Sequence, residues 1–88
     1  MRIKSDFTIQ KVGGAYVAVP VGESSRHFHG MVRLNESGAF VWGLMAEKDC
    51  SEEELVDAIL ARYEVEREVA AADVSRVLAV LREHQILV

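Results

Sequence analysis

The chain has 88 residues, half of them apolar and 27% charged, with a formal net charge of −4. That balance predicts a single globular domain over residues 1–88 and argues against disorder. A core this small competes with any deep, water-excluding cleft for the same side chains, so an enzyme is disfavoured from the outset.

The charge is unevenly spread. Residues 1–44 carry five Lys and Arg against three Asp and Glu, and residues 45–88 carry five against eleven, giving +2 and −6. Nucleic-acid binders usually present a basic face, because neutralising phosphates supplies most of their affinity, so this distribution argues against DNA or RNA as a partner. Cys50 is the only cysteine, which excludes an internal disulfide. A signal peptide's apolar region and a run long enough to cross a bilayer are both missing from the sequence, so the expected location is the cytoplasm, with no membrane partner. Asp49 and Glu52 to Glu54 around Cys50 disfavour its thiolate and hence a nucleophilic role.

In chain order, "DFTIQKVGGAYVAVPVG" reads as a hairpin. Phe7, Ile9 and Lys11 alternate with Thr8, Gln10 and Val12, Gly13-Gly14 supplies a turn with positive φ, and Tyr16 to Val19 resumes an extended run. Pro20 cannot donate to a ladder, so it marks that strand's end or an edge. "GESSRHFHG", between Gly22 and Gly30, is polar and glycine-bounded as a loop should be, and "MVRLN" follows as a short third strand.

From Glu36 the period changes. Asn35 is a favoured N-cap type, and Ala39, Phe40, Val41, Trp42, Leu44 and Met45 make a short helix that is apolar almost all round, which predicts burial on most sides. "AEKDC" breaks it. Ser51 and Glu54 then form an S-x-x-E capping box ahead of Leu55, Val56, Ile59, Leu60 and Tyr63, the stripe of a second helix. The acidic first turn suits the positive end of the helix dipole.

A third helix runs roughly from Val69 or Ala70 to His84, with Val74, Val77, Leu78 and Leu81 at i, i+3, i+4 and i+7. One flank of this stripe carries Val77, His84, Asp73 and Val80, the other Arg82 and Ser75. Val80 lies about 100° from the stripe's centre, too far round to share its main contact, and so hints at a second apolar surface. Ile86-Leu87-Val88 close the chain as an apolar tail. Three strands followed by three helices predict an α+β fold with the parts of a winged helix-turn-helix, here with its strands first.

Candidate chemistry is sparse. His27 and His29 in "RHFHG" would point to one side of an extended segment and, with Cys50 or His84, could hold zinc; the simpler reading is two solvated loop histidines, and no metal is expected. Serine lacks a G-x-S-x-G elbow, a glycine-rich phosphate loop is missing, and Glu52 to Glu54 read as cap and solvated face. Phe40 and Trp42 read as core. The third strand is the more informative element: at a sheet edge its free N–H and C=O groups would accept another chain, with side chains dropping into a groove formed by Val77 and Val80. The alternative is that Met31, Val32 and Leu34 complete the core and the edge is covered.

"YVAVPVGESSRHFHGMVRLNESGAFVWGLM" and "SEEELVDAILARYEVEREVAAADVSRVLAVLREHQILV" together resemble the PqqD family, the coenzyme PQQ synthesis protein D family, from about Ile9 to the C-terminus. The most specific part is "GMVRLNESGAFVWGLM", followed after a polar break by "EEELVDAILARYEV" and "DVSRVLAVLREHQIL". The resemblance implies a winged helix-turn-helix-like, non-catalytic domain without a cofactor. Such a domain binds the leader segment of a ribosomally made precursor peptide and delivers it to a modifying enzyme, often a radical S-adenosylmethionine (SAM) enzyme. It also implies that the leader pairs as an antiparallel strand with the third strand and packs against the third helix. By position, the backbone of Gly30, Met31, Val32, Arg33 and Leu34 would take the pairing role. Arg33 would meet leader carboxylates, while Asp73, Arg76, Val77, Val80 and His84 would line the groove. The histidines of "RHFHG" fall outside the family pattern.

A DNA-binding regulator is the alternative, since helix-turn-helix architecture serves both roles. Arg76 and Arg82 against Asp73 and Glu83 leave the third helix neutral, where a DNA reader would be basic. A subunit whose third-strand edge pairs with itself in a homodimer is a further reading.

Overall fold

The computed structural model describes residues 1–22 and 32–88. Three strands, β1 (Phe7–Val12), β2 (Ala15–Pro20) and β3 (Val32–Leu34), precede three helices, α1 (Glu36–Glu47), α2 (Glu52–Arg62) and α3 (Arg67–Glu83). This is the expected α+β order of strands first and helices after. The "RHFHG" loop, with His27 and His29, lies outside the described residues.

The hairpin forms where its glycines predict it. Val12 faces Ala15 across Gly13-Gly14, and only Gly13 takes a positive φ, +63°, the pattern of a type II′ turn rather than one with both central residues left-handed. Pro20 ends β2 opposite Phe7. The sheet order is β1-β2-β3, antiparallel throughout, so β3 is an edge strand that pairs with β2 alone among the described residues.

Asn35 caps α1: its Oδ1 accepts the Gly38 N–H at 2.8 Å. Trp42, Val41 and Met45 are fully enclosed, but Phe40 and Leu44 are half-buried at the core's margin. Phe40 meets Tyr63 edge-on, with 6.0 Å between ring centroids, and the Arg62 guanidinium lies over its ring at 5.2 Å. The capping box of α2 is complete, with Glu54 N–H to Ser51 Oγ at 3.1 Å and Ser51 N–H to Glu54 Oε1 at 3.0 Å. Tyr63, expected on the α2 stripe, instead caps the helix C-terminus in an extended conformation.

α3 begins at Arg67, two or three residues before its expected start at Val69 or Ala70. Glu66 takes the N-cap position, and its carbonyl accepts the N–H groups of Val69 and Ala70 at 3.0 Å. The apolar period misses this first turn because Arg67, Glu68 and Val69 are all exposed. The predicted stripe of Val74, Val77, Leu78 and Leu81 is buried throughout.

Beyond Glu83 the chain reverses sharply. Gln85 adopts a left-handed φ of 58°, its N–H bonds to Arg82 O, and the Ile86 N–H reaches Leu81 O at 2.9 Å. These two bonds make a Schellman motif with glutamine where glycine is usual. The reversal drives Ile86 into the core and lays the tail beside residues 2–4: Lys4 N–H donates to Ile86 O and Val88 N–H to Arg2 O, each at 2.9 Å. The apolar tail predicted from sequence is therefore a structural strap along the N-terminal segment.

Candidate functional site

The period of two in β3 sorts its side chains. Val32 and Leu34 are buried, and Arg33 points to solvent. Alternate residues of an antiparallel edge strand direct N–H and C=O away from the sheet, so β3 presents main-chain donors and acceptors on its open side. Gly30 and Met31 lie outside the described residues.

α3 runs beside that edge. Arg33, Leu34 and Asn35 on one side and Arg76, Val77 and Val80 on the other line an open groove. Its floor is apolar, from Leu34, Val77 and half-buried Val80. Its mouth is basic, from Arg33 and Arg76, both exposed. Val80, placed by sequence off the main stripe, packs against the margin of the core while keeping a face on the groove.

A polar network ties the two walls together. The Ser37 hydroxyl donates to Asp73 Oδ2 and approaches Asn35 Oδ1 at 3.3 Å, and Arg76 donates to Asp73 Oδ1. Asp73 is largely covered while Arg76 remains mostly in water, with side-chain exposures of 16% and 67%. Asp73 thus orients both Ser37 at the start of α1 and Arg76 at the groove mouth.

Of the residues singled out from sequence, Arg33, Leu34, Arg76, Val77 and Val80 converge on the groove, and Val32 contributes backbone beside it. Asp73 stands one turn nearer the N-terminus of α3, bordering a second depression. His84 is the C-cap of α3, and its ring Nδ1 lies 2.9 Å from Val80 O, turned back on its own helix and outside the groove lining. Sequence reasoning missed Asn35 as a groove wall, because its capping role explained it fully. It also missed the depression beyond Asn35, lined by Ser37, Tyr63, Val65 and Val69 among others. The available signal was Val69, which lies about 140° from Val74 on the helix and cannot share its stripe.

Cys50 is buried, with its Sγ 3.6 Å from Leu44 O and 3.5 Å from Lys48 O, so its thiol is taken up in the α1–α2 connection. Among the described residues, His, Cys, Asp and Glu do not gather in groups of three that could hold a metal ion. No described helix is long and apolar enough to cross a membrane.

Fold and groove together define a small α+β domain whose last strand is open at the sheet edge beside an apolar face of its last helix. The chain belongs to the PqqD family: the family model for coenzyme PQQ synthesis protein D matches residues 16–87. Among solved structures it is similar to TbiB1 in complex with the TbiA(beta) leader peptide. That likeness has a TM-score of 0.72 and 25% identity, and covers 99% of this chain and 94% of that one. It is also similar in fold to lasso peptide synthetase B1 complexed with the leader peptide, with a TM-score of 0.67 and 21% identity over 93% of this chain and 89% of that one. No curated protein matches the chain.

Proposed function

We propose that this chain is a non-catalytic adaptor that binds the leader segment of a ribosomally made precursor peptide. The observation that carries the reading is the open edge of β3 running beside the Leu34, Val77 and Val80 floor. A leader adds as an antiparallel strand through the backbone of residues 30–34. Its alternate side chains reach the floor, and its carboxylates meet Arg33 and Arg76. Main-chain pairing supplies affinity with little demand on sequence, and the groove selects among leaders. The resemblance to TbiB1, itself in complex with a leader peptide, supports this reading.

A modifying enzyme, such as a radical SAM protein, is the second partner, and the cytoplasm the place of action. A homodimer formed through β3 would occupy the same edge, so leader binding and that dimer would exclude one another. α3 is neutral over its full length, with Arg67, Arg76 and Arg82 against Glu68, Asp73 and Glu83, which disfavours duplex DNA as the ligand.

The test is fluorescence anisotropy with a labelled synthetic peptide carrying the leader of the short open reading frame nearest this gene. Saturable binding in the micromolar range, roughly 8 kcal/mol, is expected and suits a peptide that must be released after modification. Absence of binding, or tight sequence-specific binding to duplex DNA at physiological salt, would overturn the reading.

A further inference from the structure

The groove does not end at Leu34. Asn35 belongs both to its lining and to that of the neighbouring depression, which opens where α1 begins and α2 gives way to α3. Ile59 and Ala70 at its base are buried, Tyr63 is half-buried, and its outer wall is Val65 and Val69, 41% and 57% exposed. An exposed valine at the start of a helix has no role in the core, and two side by side form a small apolar surface.

The two cavities lie along one face of α3. At 100° per residue, Val69, Asp73, Arg76 and Val80 fall at i, i+4, i+7 and i+11, a second stripe distinct from the buried one. From Val69 to Val80 this stripe rises about 16 Å, the length of roughly five residues of extended chain.

Charge changes sign along the stripe. The groove at Val80 is bounded by Arg33 and Arg76. The depression at Val69 is bordered by Glu36, and Glu64 and Glu66 flank Val65 in the hollow that adjoins it. The nearby Arg62 lies over the rings of Phe40 and Tyr63, at 5.2 and 5.6 Å, and offsets the charge of Glu36, so the excess of carboxylates at the rim comes from Glu64 and Glu66.

A strand antiparallel to β3 passes Leu34 before Val32, so the residues preceding the paired segment arrive at Asn35 and the depression. We infer that the depression between Tyr63, Val65 and Val69 is a second docking site for the same peptide. Its occupant is an apolar side chain flanked by Lys or Arg, about five residues N-terminal to the one seated on Val80. This rests on the leader-binding reading and deepens it: the leader is read in two places of opposite charge preference, and their order sets its direction on the domain.

The experiment is a display library of random 16-residue peptides sorted for binding to the full chain, with selected peptides then titrated against Val80→Asp and Val69→Ser. Folding of each variant is checked by circular dichroism, and Val69 is exposed enough for its replacement to leave the core alone. The expected binders carry a basic and apolar pair upstream of an acidic and apolar segment. Val80→Asp should abolish their binding. Val69→Ser should weaken it about tenfold, as loss of one apolar anchor would. Removing the upstream residues should weaken binding equally to wild type and make the Val69→Ser change silent. If Val80→Asp abolishes binding while Val69→Ser and the upstream truncation each change it less than about twofold, the second site is overturned and the leader groove stands. If Val80→Asp is without effect, or the sort yields no binders, both readings fall.

Discussion

Asn35 and Gly38 are locked to one another at the start of α1. The Gly38 N–H donates to Asn35 Oδ1 at 2.8 Å, and a Cβ added at Gly38 would stand 2.9 Å from that oxygen and 3.4 Å from both Leu34 Cβ and Val77 Cγ2. Glycine is required here for close approach: α1, the end of β3 and the groove face of α3 meet at its bare Cα. Gly38→Ala should therefore cost about 1–3 kcal/mol in chemical denaturation, since the added methyl displaces the cap or spreads β3 from α3. Asn35→Ala, which removes the cap and the contact with the Ser37 hydroxyl, should cost about 1 kcal/mol.

Val80 and Trp42 separate binding from folding. Trp42 is 2% exposed, and Trp42→Ala should cost about 3–5 kcal/mol. Val80→Asp, at the margin, should cost roughly 1 kcal/mol while abolishing leader binding measured by anisotropy. Unfolding by Val80→Asp to the extent seen with Trp42→Ala would show that Val80 is core and that the groove is misplaced.

Arg33 is exposed and free of the Asp73 network that engages Arg76. Arg33→Glu should lower leader affinity and flatten its dependence on salt, because a charge at the groove mouth acts mainly on association and is screened by ions. Isothermal titration at low and high ionic strength checks this. An affinity unchanged at low ionic strength would place Arg33 outside the interface.

Gln85 holds a left-handed conformation at φ 58° within the Schellman turn that buries Ile86. Glycine adopts this geometry without the Cβ clash, so Gln85→Gly should stabilise the chain by about 1 kcal/mol, seen as a rise in Tm. A fall in Tm would mean that the Gln85 side chain does more than occupy the turn.

Glu54 gives the capping box a pH dependence. The Ser51 backbone N–H, then the Ser51 side chain and Lys48, hold its carboxyl below the usual carboxylate value. A carboxyl depressed in the folded state contributes stability that is complete above its ordinary pKa and is lost as pH falls through the folded value. Acidifying from neutral should therefore lower the denaturation midpoint, and Glu54→Gln should reduce that slope while keeping an oxygen to accept from Ser51. An unchanged slope in the variant would place the acid sensitivity elsewhere.

Much of the fold is legible along the chain because its determinants are local. The Gly13-Gly14 turn, the Asn35 cap, the Ser51 and Glu54 box and the Val74 to Leu81 stripe each rest on residues a few positions apart, where periodicity and hydrogen bonding act within one element. The first turn of α3 was not legible: its exposed residues carry no period, and its N-cap, Glu66, makes no side-chain capping bond.

The site divides in the same way. That β3 would be short and that Val80 would leave the main stripe of α3 could be read along the chain, since both follow from the geometry of a single element. That β3 lies at the sheet edge, that α3 runs beside it, and that Asn35 walls two cavities lined by residues as distant as Arg33 and Val80 follows from packing between elements. Likewise, nothing local joins Ile86 to Lys4. Which edge stays open, and which apolar residues meet across it, depends on packing between elements far apart in sequence, and no period within one element carries that information.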